Sequence, residues 1–422
     1  MVESKKSMSR GYVICFIAAL FYCFQCLVAM LPSIEVRPLM VFFHANGTQV
    51  GYINSAFYYT FIVFLFLCGP IVDRFPSRLV MGFSCGLSAV ATYTAVISHN
   101  IVIAYISRAI MGAGTAFSYP LMLYLIEAWL NKRWFTFYTS IYTASSQFFI
   151  VIYTVLLVSF LAGLSIVILH AGLAILGIVF AILGFFVISD NNYTQKSLPL
   201  LKMFKSILLL MWDFRFIHLS IMTMFLFVSI TMFCGSWGVE FSKDALHFSE
   251  QQAMMLNAIL FLGVGCGIIF FGILADWLGY RKWQLLISSI LIFCILMILL
   301  YVNALNIYVV GILYVLLGFL NGVCINVFYF AKVFSKHEVL GAAIGIITAF
   351  SILNYLFLPP LIGWMLDNSL HVVLVSGVRV YTRLAFQQAF IFAPIASVLA
   401  ILLLFFLREK KEGSSAVSKT QH

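Results

Sequence analysis

Apolar positions along this chain neither alternate with period two nor repeat at helical spacing. They run on unbroken for twenty or more residues, and short polar segments separate one run from the next. A bilayer core takes about 20 apolar residues per helix, and continuous runs of that length read as spanning helices rather than barrel strands. Twelve such runs are predicted: 11–31, 49–72, 79–98, 101–126, 134–160 and 165–188, then 214–238, 251–275, 283–302, 305–330, 339–365 and 384–407. The longest polar connection, 189–213, sits midway. The chain therefore divides into a six-helix bundle over 1–188, a central loop over 189–213, a second bundle over 214–407 and a tail over 408–422.

Composition supports the bilayer as solvent. Of 422 residues, 64% are hydrophobic and 9% are charged, too little polar surface to cover a water-soluble globule. The net charge of +10 does not mark a nucleic-acid protein, because the cations are dispersed in the loops. Nineteen Lys and Arg fall on the side of the two termini and four on the other (Arg37, Lys243, Arg379 and Arg383). The positive-inside rule then places both termini in the cytoplasm. The nine cysteines all fall within apolar runs, where Cys23-x-x-Cys26 is two small apolar groups rather than a redox or metal pair. Nothing predicts a cofactor, a metal or an enzyme, and no phosphate loop suggests direct use of ATP.

Two loops repeat. Gly69-Pro70-Ile71-Val72-Asp73-Arg74-Phe75-Pro76-Ser77-Arg78 follows span two, and Gly272-Ile273-Leu274-Ala275-Asp276-Trp277-Leu278-Gly279-Tyr280-Arg281 follows span eight. Gly112 in span four is echoed by Gly318 in span ten. Matching loops at the same place in two six-helix halves imply a duplicated bundle. Gly69 and Gly272 are expected to admit a neighbouring helix closely.

These loops resemble the Gly-x-x-x-Asp-Arg-x-Gly-Arg-Arg motif of the major facilitator superfamily, and the resemblance covers essentially the whole chain. It implies an all-α membrane protein of two pseudo-symmetric bundles that moves a small solute by alternating access. It also implies a charge latch at the inner face, formed by Asp73, Arg74, Arg78, Asp276 and Arg281, with Glu127 as a candidate partner. Arg108-x-x-x-Gly112-x-Gly114-x-Ala116 resembles a second family motif, whose arginine is associated with proton coupling. The Gly-Pro motif found in span five of many exporters is absent, which favours uptake over export. Tyr22-Cys23-Phe24-Gln25, Pro32-Ser33 and Ala56-Phe57-Tyr58-Tyr59 resemble a bacterial branch of organic-phosphate carriers and nutrient transporters of intracellular pathogens. This chain has Ala29 where the branch often has an arginine.

Arg108 is the one formal charge placed well inside a span, and an isolated charge there costs at least ~2.5 kcal/mol. Carbonyls, a carboxylate, cavity water or an anionic substrate must compensate it. No Asp or Glu falls within a span; the carboxylates available to load a coupling proton are Glu35 and Glu240 at margins, and His170 in span six and His218 near the start of span seven are titratable candidates, with His170 read first as scaffold. In a two-bundle carrier the substrate sits near the midplane between the halves. The expected contacts are Arg108, Gln25, Tyr58, Tyr119, Gln147, Asn257, Asn321 and Asn354. The expected protein is a monomer in a bacterial inner membrane, with a small organic and anionic substrate and a proton as candidate coupling ion. The rival readings are an exporter of a metabolite or siderophore, and a membrane sensor that keeps the fold without transport.

Overall fold

The computed structural model describes residues 2–131, 135–160, 163–189, 210, 212–334, 340–370, 372–375 and 378–407. Among them are twelve helices long and apolar enough to cross a membrane. Numbered one to twelve, they are Arg10–Ile34, Gly47–Cys68, Ser77–Ile97, Ile101–Trp129, Phe137–Ser159, Ile166–Val187, Phe214–Phe233, Glu250–Ala275, Arg281–Tyr301, Ile307–Phe334, Ala343–Asp367 and Arg383–Phe406. Local chemistry sets their starts. Asn46 and Ser249 each close a capping box, opening spans two and eight, and Asn100, Ser165, Asn306 and Thr382 cap four others with their side chains. "Inner" and "outer" below mean the cation-rich and cation-poor faces.

Within the first half, span three packs on six and span four on two and three; within the second, span eight packs on ten and nine on twelve. The halves meet where span two lies along span eleven and span five along span eight. A shift of six spans turns one pairing into the other, as a two-fold relation between duplicated bundles requires. The glycine echo has a physical basis. A Cβ at Gly112 would strike the carbonyl of Phe57 in span two, and one at Gly318 would strike that of Leu260 in span eight. The same small residue lets backbones touch at the same place in each half.

One expectation needs correction. A Cβ at Gly272 would meet nothing within 4 Å, so this glycine makes no close helix contact. The approach to span ten is made earlier, at Gly263 and Gly267; five residues on, at about 3.6 per turn, Gly272 faces elsewhere. The connections on the outer face are also more structured than loops. Val36–Phe43 forms a short helix after span one, and Phe241–Ala245 a π-type turn after span seven. Val372–Val375 pairs antiparallel with Val378–Tyr381 between spans eleven and twelve.

Candidate functional site

Prolines shape the interface. Pro120 has no N–H to give the carbonyl of Ala116, and span four breaks there between helices Ile101–Thr115 and Ser118–Trp129. The Cys68 thiol of span two donates to that carbonyl at 3.1 Å. In span eleven, Pro359 and Pro360 likewise leave the carbonyls of Tyr355 and Leu356 without helical donors. Span two of the other half supplies both: the Ser55 hydroxyl donates to Tyr355 at 2.6 Å and the Tyr59 hydroxyl to Leu356 at 3.1 Å. Tyr58 stacks on Tyr355 with ring centroids 4.3 Å apart. Two further bonds stitch the outer ends of spans seven, two and eleven, from Asn54 to the Gly235 carbonyl at 2.6 Å and from Trp237 to the Pro359 carbonyl at 3.1 Å. We expect Ser55→Ala combined with Tyr59→Phe to loosen this seam by about 1 kcal/mol per bond, roughly fivefold each in the population with the outer face open. Spin labels on cysteines replacing Asn100 and Asn303, in a cysteine-free background, will read it as a longer outer distance.

Above the seam the outer face is closed by charge. Arg37, on the short outer helix of the first half, reaches two carboxylates of the second. Its Nη2 lies 2.6 Å from Asp244 and its Nε 3.4 Å from Glu240. Asp244 also accepts from the backbone N–H of Tyr381 in the hairpin at 3.1 Å. Asp367, at the outer end of span eleven, accepts from the N–H groups of Gly47 and Thr48, at 3.1 and 2.8 Å, and from the Thr48 hydroxyl at 2.7 Å. A carboxylate thus crosses from one half to the positive end of a helix in the other. Arg379 pairs with the same Asp367 at 2.8 Å. Burial, and then Asp244 beside it, pushes the Glu240 carboxyl up to about 7, against the pull of Arg37 and Lys243. Burial also raises Asp244, opposed by the Tyr381 N–H and Arg37. The four outer cations of the sequence are all engaged: Lys243 bonds Glu250 at 2.6 Å, and Arg383 bonds the carbonyls of Leu300 and Val302.

Arg108 is 3% exposed, and its oxygen partners are carbonyls, with the Met111 sulfur a further acceptor at 3.7 Å. Its nitrogens donate to Val28 at 2.7 Å and Ala29 at 3.3 Å in span one, and to Ile53 at 3.3 Å in span two, with Phe57 beneath at 5.0 Å. Of the compensators weighed for it, carbonyls are the ones present, three of them from the backbone of two neighbouring spans. Gln25 accepts from Ser118 at 3.3 Å, and Tyr119 packs on Tyr22 at 5.2 Å. Gln147 bonds its neighbour Ser146 at 3.2 Å and lies against Gly265 of span eight. Three candidates of the second half join helices to span seven. Asn257 donates to Phe233 at 3.0 Å, Asn354 donates to Met224 at 2.6 Å, and Asn321 accepts from Ser229 at 2.9 Å. Gln147 and Tyr58 thus lie at the seam between the halves and Gln25 and Tyr119 are held within the first half, whereas the asparagines are tied to backbone or a neighbouring hydroxyl.

At the inner face, Arg74, Arg78 and Glu127 are exposed, and Arg281 lies over the ring of Tyr329 at 3.6 Å. The side chains of Asp73 and Asp276, together with Gly69, lie outside the described residues.

His170, read first as scaffold, meets Glu35. Its Nε2 is 2.8 Å from Glu35 Oε2, and its Nδ1 is 3.1 Å from the carbonyl of Thr92. Sequence reasoning notes each residue singly and pairs neither. It also gives no site role to Arg37, Asp367, Ser55 or Tyr355. One signal is available: the outer connections hold Glu35, Glu240, Asp244, Glu250 and Asp367 beside only four cations, a balance suited to pairing.

Comparison with known proteins agrees with this architecture. The family model of the Major Facilitator Superfamily matches residues 13–329 and 219–421, so the chain belongs to that superfamily. It is a multi-pass membrane transporter of some solute. The fold is similar to that in the crystal structure of a mutant of the nucleoside transporter NupG, with TM-score 0.73 and 14% identity over 95% of this chain and 100% of that one. A stretch of 100 residues, 23% of this chain, is 28% identical to "Probable anion transporter 4, chloroplastic" of Oryza sativa subsp. japonica, and it spans 17% of that relative's length.

Proposed function

We propose that this chain is a secondary carrier of a small organic solute, working by alternating access, with the outer face closed in this structure. One observation carries the reading: Arg37 of the first half is clamped between Glu240 and Asp244 of the second, a contact that must break if the halves part. The inner-face charges Asp73, Arg74, Arg78, Glu127, Asp276 and Arg281 serve as the opposing latch, holding the state in which the outer face is open. The cation-rich face is cytoplasmic, with both termini inside a bacterial inner membrane, and the direction is uptake.

The solute is held near Gln25, Tyr58, Tyr119 and Gln147, with Asn257, Asn321 and Asn354 shaping the opposite wall. These are neutral groups, and Arg108 already has its acceptors, which favours a neutral polar solute. A second reading has a specific observation behind it, the local similarity to an anion transporter. In that reading an anionic solute displaces the carbonyls of Val28, Ala29 and Ile53 from Arg108 in another access state.

The test is a thermal-shift screen of neutral and anionic metabolites on purified protein, since a ligand stabilises the state that binds it. Affinity of the hit for Arg108→Gln is then measured without a gradient. Unchanged affinity selects the neutral solute; a loss of about tenfold or more selects the anionic one, because a charge-assisted fork is removed. Counterflow in liposomes separates a carrier from a sensor, and vesicle orientation separates uptake from export.

A further inference from the structure

Glu35 ends span one, at the turn into the short helix that carries Arg37. It is 3% exposed, and its Oε1 has no hydrogen-bond partner. His170 is 5% exposed. The two line a small cavity inside the first half together with Arg108, Ile53, Leu31 and Phe43. From the elements packed around it, Glu35 faces His170 of span six, Arg108 of span four, Tyr153 of span five and the Thr92 carbonyl of span three beyond the imidazole. The Tyr153 hydroxyl is buried without a partner.

The hydrogen-bond geometry fixes a proton count. A carbonyl can only accept, so the contact with Thr92 puts a hydrogen on His170 Nδ1. With Nδ1 committed, Nε2 either presents a lone pair or carries a second proton. A bare Nε2 facing an ionised Glu35 at 2.8 Å sets lone pair against lone pair. The contact is attractive only with one proton between them, whether as imidazolium and carboxylate or as imidazole and carboxylic acid.

We infer that the Glu35–His170 pair is a proton-binding site, occupied while the outer face is closed, whose emptying is linked to release of the Arg37 clamp. On loss of the proton to water at the outer face, His170 stays neutral and Glu35 becomes an uncompensated buried carboxylate. Its remaining partner across the cavity is the guanidinium of Arg108. Moving there turns the junction of span one and the outer helix, and Arg37 sits two residues further on. The pair lies within one bundle, apart from the seam where the solute is placed. The coupling half of this inference rests on the alternating-access reading; the proton site itself does not.

The experiment uses full-length protein in lipid nanodiscs with histidine labelled at 13Cε1, and His170 is assigned by its disappearance in His170→Gln. The probe is the proton, over roughly pH 5 to 9, a window in which imidazole chemistry is read. We expect a single titration of His170 whose midpoint moves by about one pH unit or more in Glu35→Gln, a tenfold change in proton affinity. An unmoved midpoint, or no titration in either protein, overturns the proton site. Glu35→Asp, which keeps the charge, is the fallback if Glu35→Gln does not fold, and it must also move the midpoint. Coupling is read in a Glu240→Gln background, which silences one of the two gate carboxylates and leaves Asp244 as a constant contribution, from the Asn100–Asn303 spin-label distance. Residual pH dependence that His170→Gln removes supports coupling. Dependence that His170→Gln leaves unchanged, or none to begin with, overturns coupling while the resonance still decides the site. An outer distance that no variant and no pH alters would instead sink the alternating-access reading.

Discussion

Arg37→Ala is expected to open the outer face. The substitution leaves Glu240 and Asp244, 4% and 6% exposed, as neighbouring buried carboxylates without their shared cation. Breaking a buried ion pair from one side costs about 3–5 kcal/mol, because the remaining charge is uncompensated. That is roughly a hundredfold or more in the balance between closed and open states, since about 1.4 kcal/mol is a factor of ten. Spin-label distances between Asn100 and Asn303 should move from a short to a long population. Lys243 is committed to Glu250 and does not replace the lost guanidinium. The opening should be smaller at acid pH, where protonated Glu240 no longer needs a partner. A short distance at every pH would mean that the seam of span two on span eleven closes this face and the clamp adds little.

The second large effect is a pH dependence of that closure. Glu240 sits at about 7 in the closed state; once opening lets water reach it, it returns to the usual range near ~4.3. The closed state therefore binds the proton more tightly. Its extra stability is fully present below the open-state value and is lost as pH rises to about 7, where it levels off. Across that window the equilibrium constant for closure should fall by between about two and three orders of magnitude. Burial raises Asp244 in the same direction, and the two neighbouring carboxyls titrate as a coupled pair. Glu240→Gln should remove most of the dependence and hold the face closed at neutral pH. A closed population that grows with rising pH would reverse the sign and refute the assignment.

The helices were legible in sequence to within five residues at each end, because a bilayer demands continuous apolar length whatever the partners. The duplication was legible for a similar local reason. Gly112 and Gly318 stand at equivalent places, and each lets a carbonyl of the adjacent helix approach. Gly272 misled, because a motif position gives no helical phase relative to neighbours that have not yet been placed. The candidate site was partly legible. Mid-span polar residues were found by type, but a lone asparagine reads the same whether it faces a solute or, like Asn354, a carbonyl 130 residues away.

What the sequence alone determined is what depends on composition along the chain: a membrane protein, twelve spans, two repeated halves, and a charge bias that names the faces. These follow from the cost of burying polar groups in lipid, which each segment meets by itself. Only the tertiary structure decided where each unusual residue finds compensation. Arg108 took backbone carbonyls from spans one and two, the two prolines of span eleven took hydroxyls from the other half, and Arg37 found carboxylates more than 200 positions away. Glu35 and His170 met across 135 positions. Satisfying a buried charge or a freed carbonyl needs a partner within about 3 Å, and separation along the chain places no limit on which residue that is.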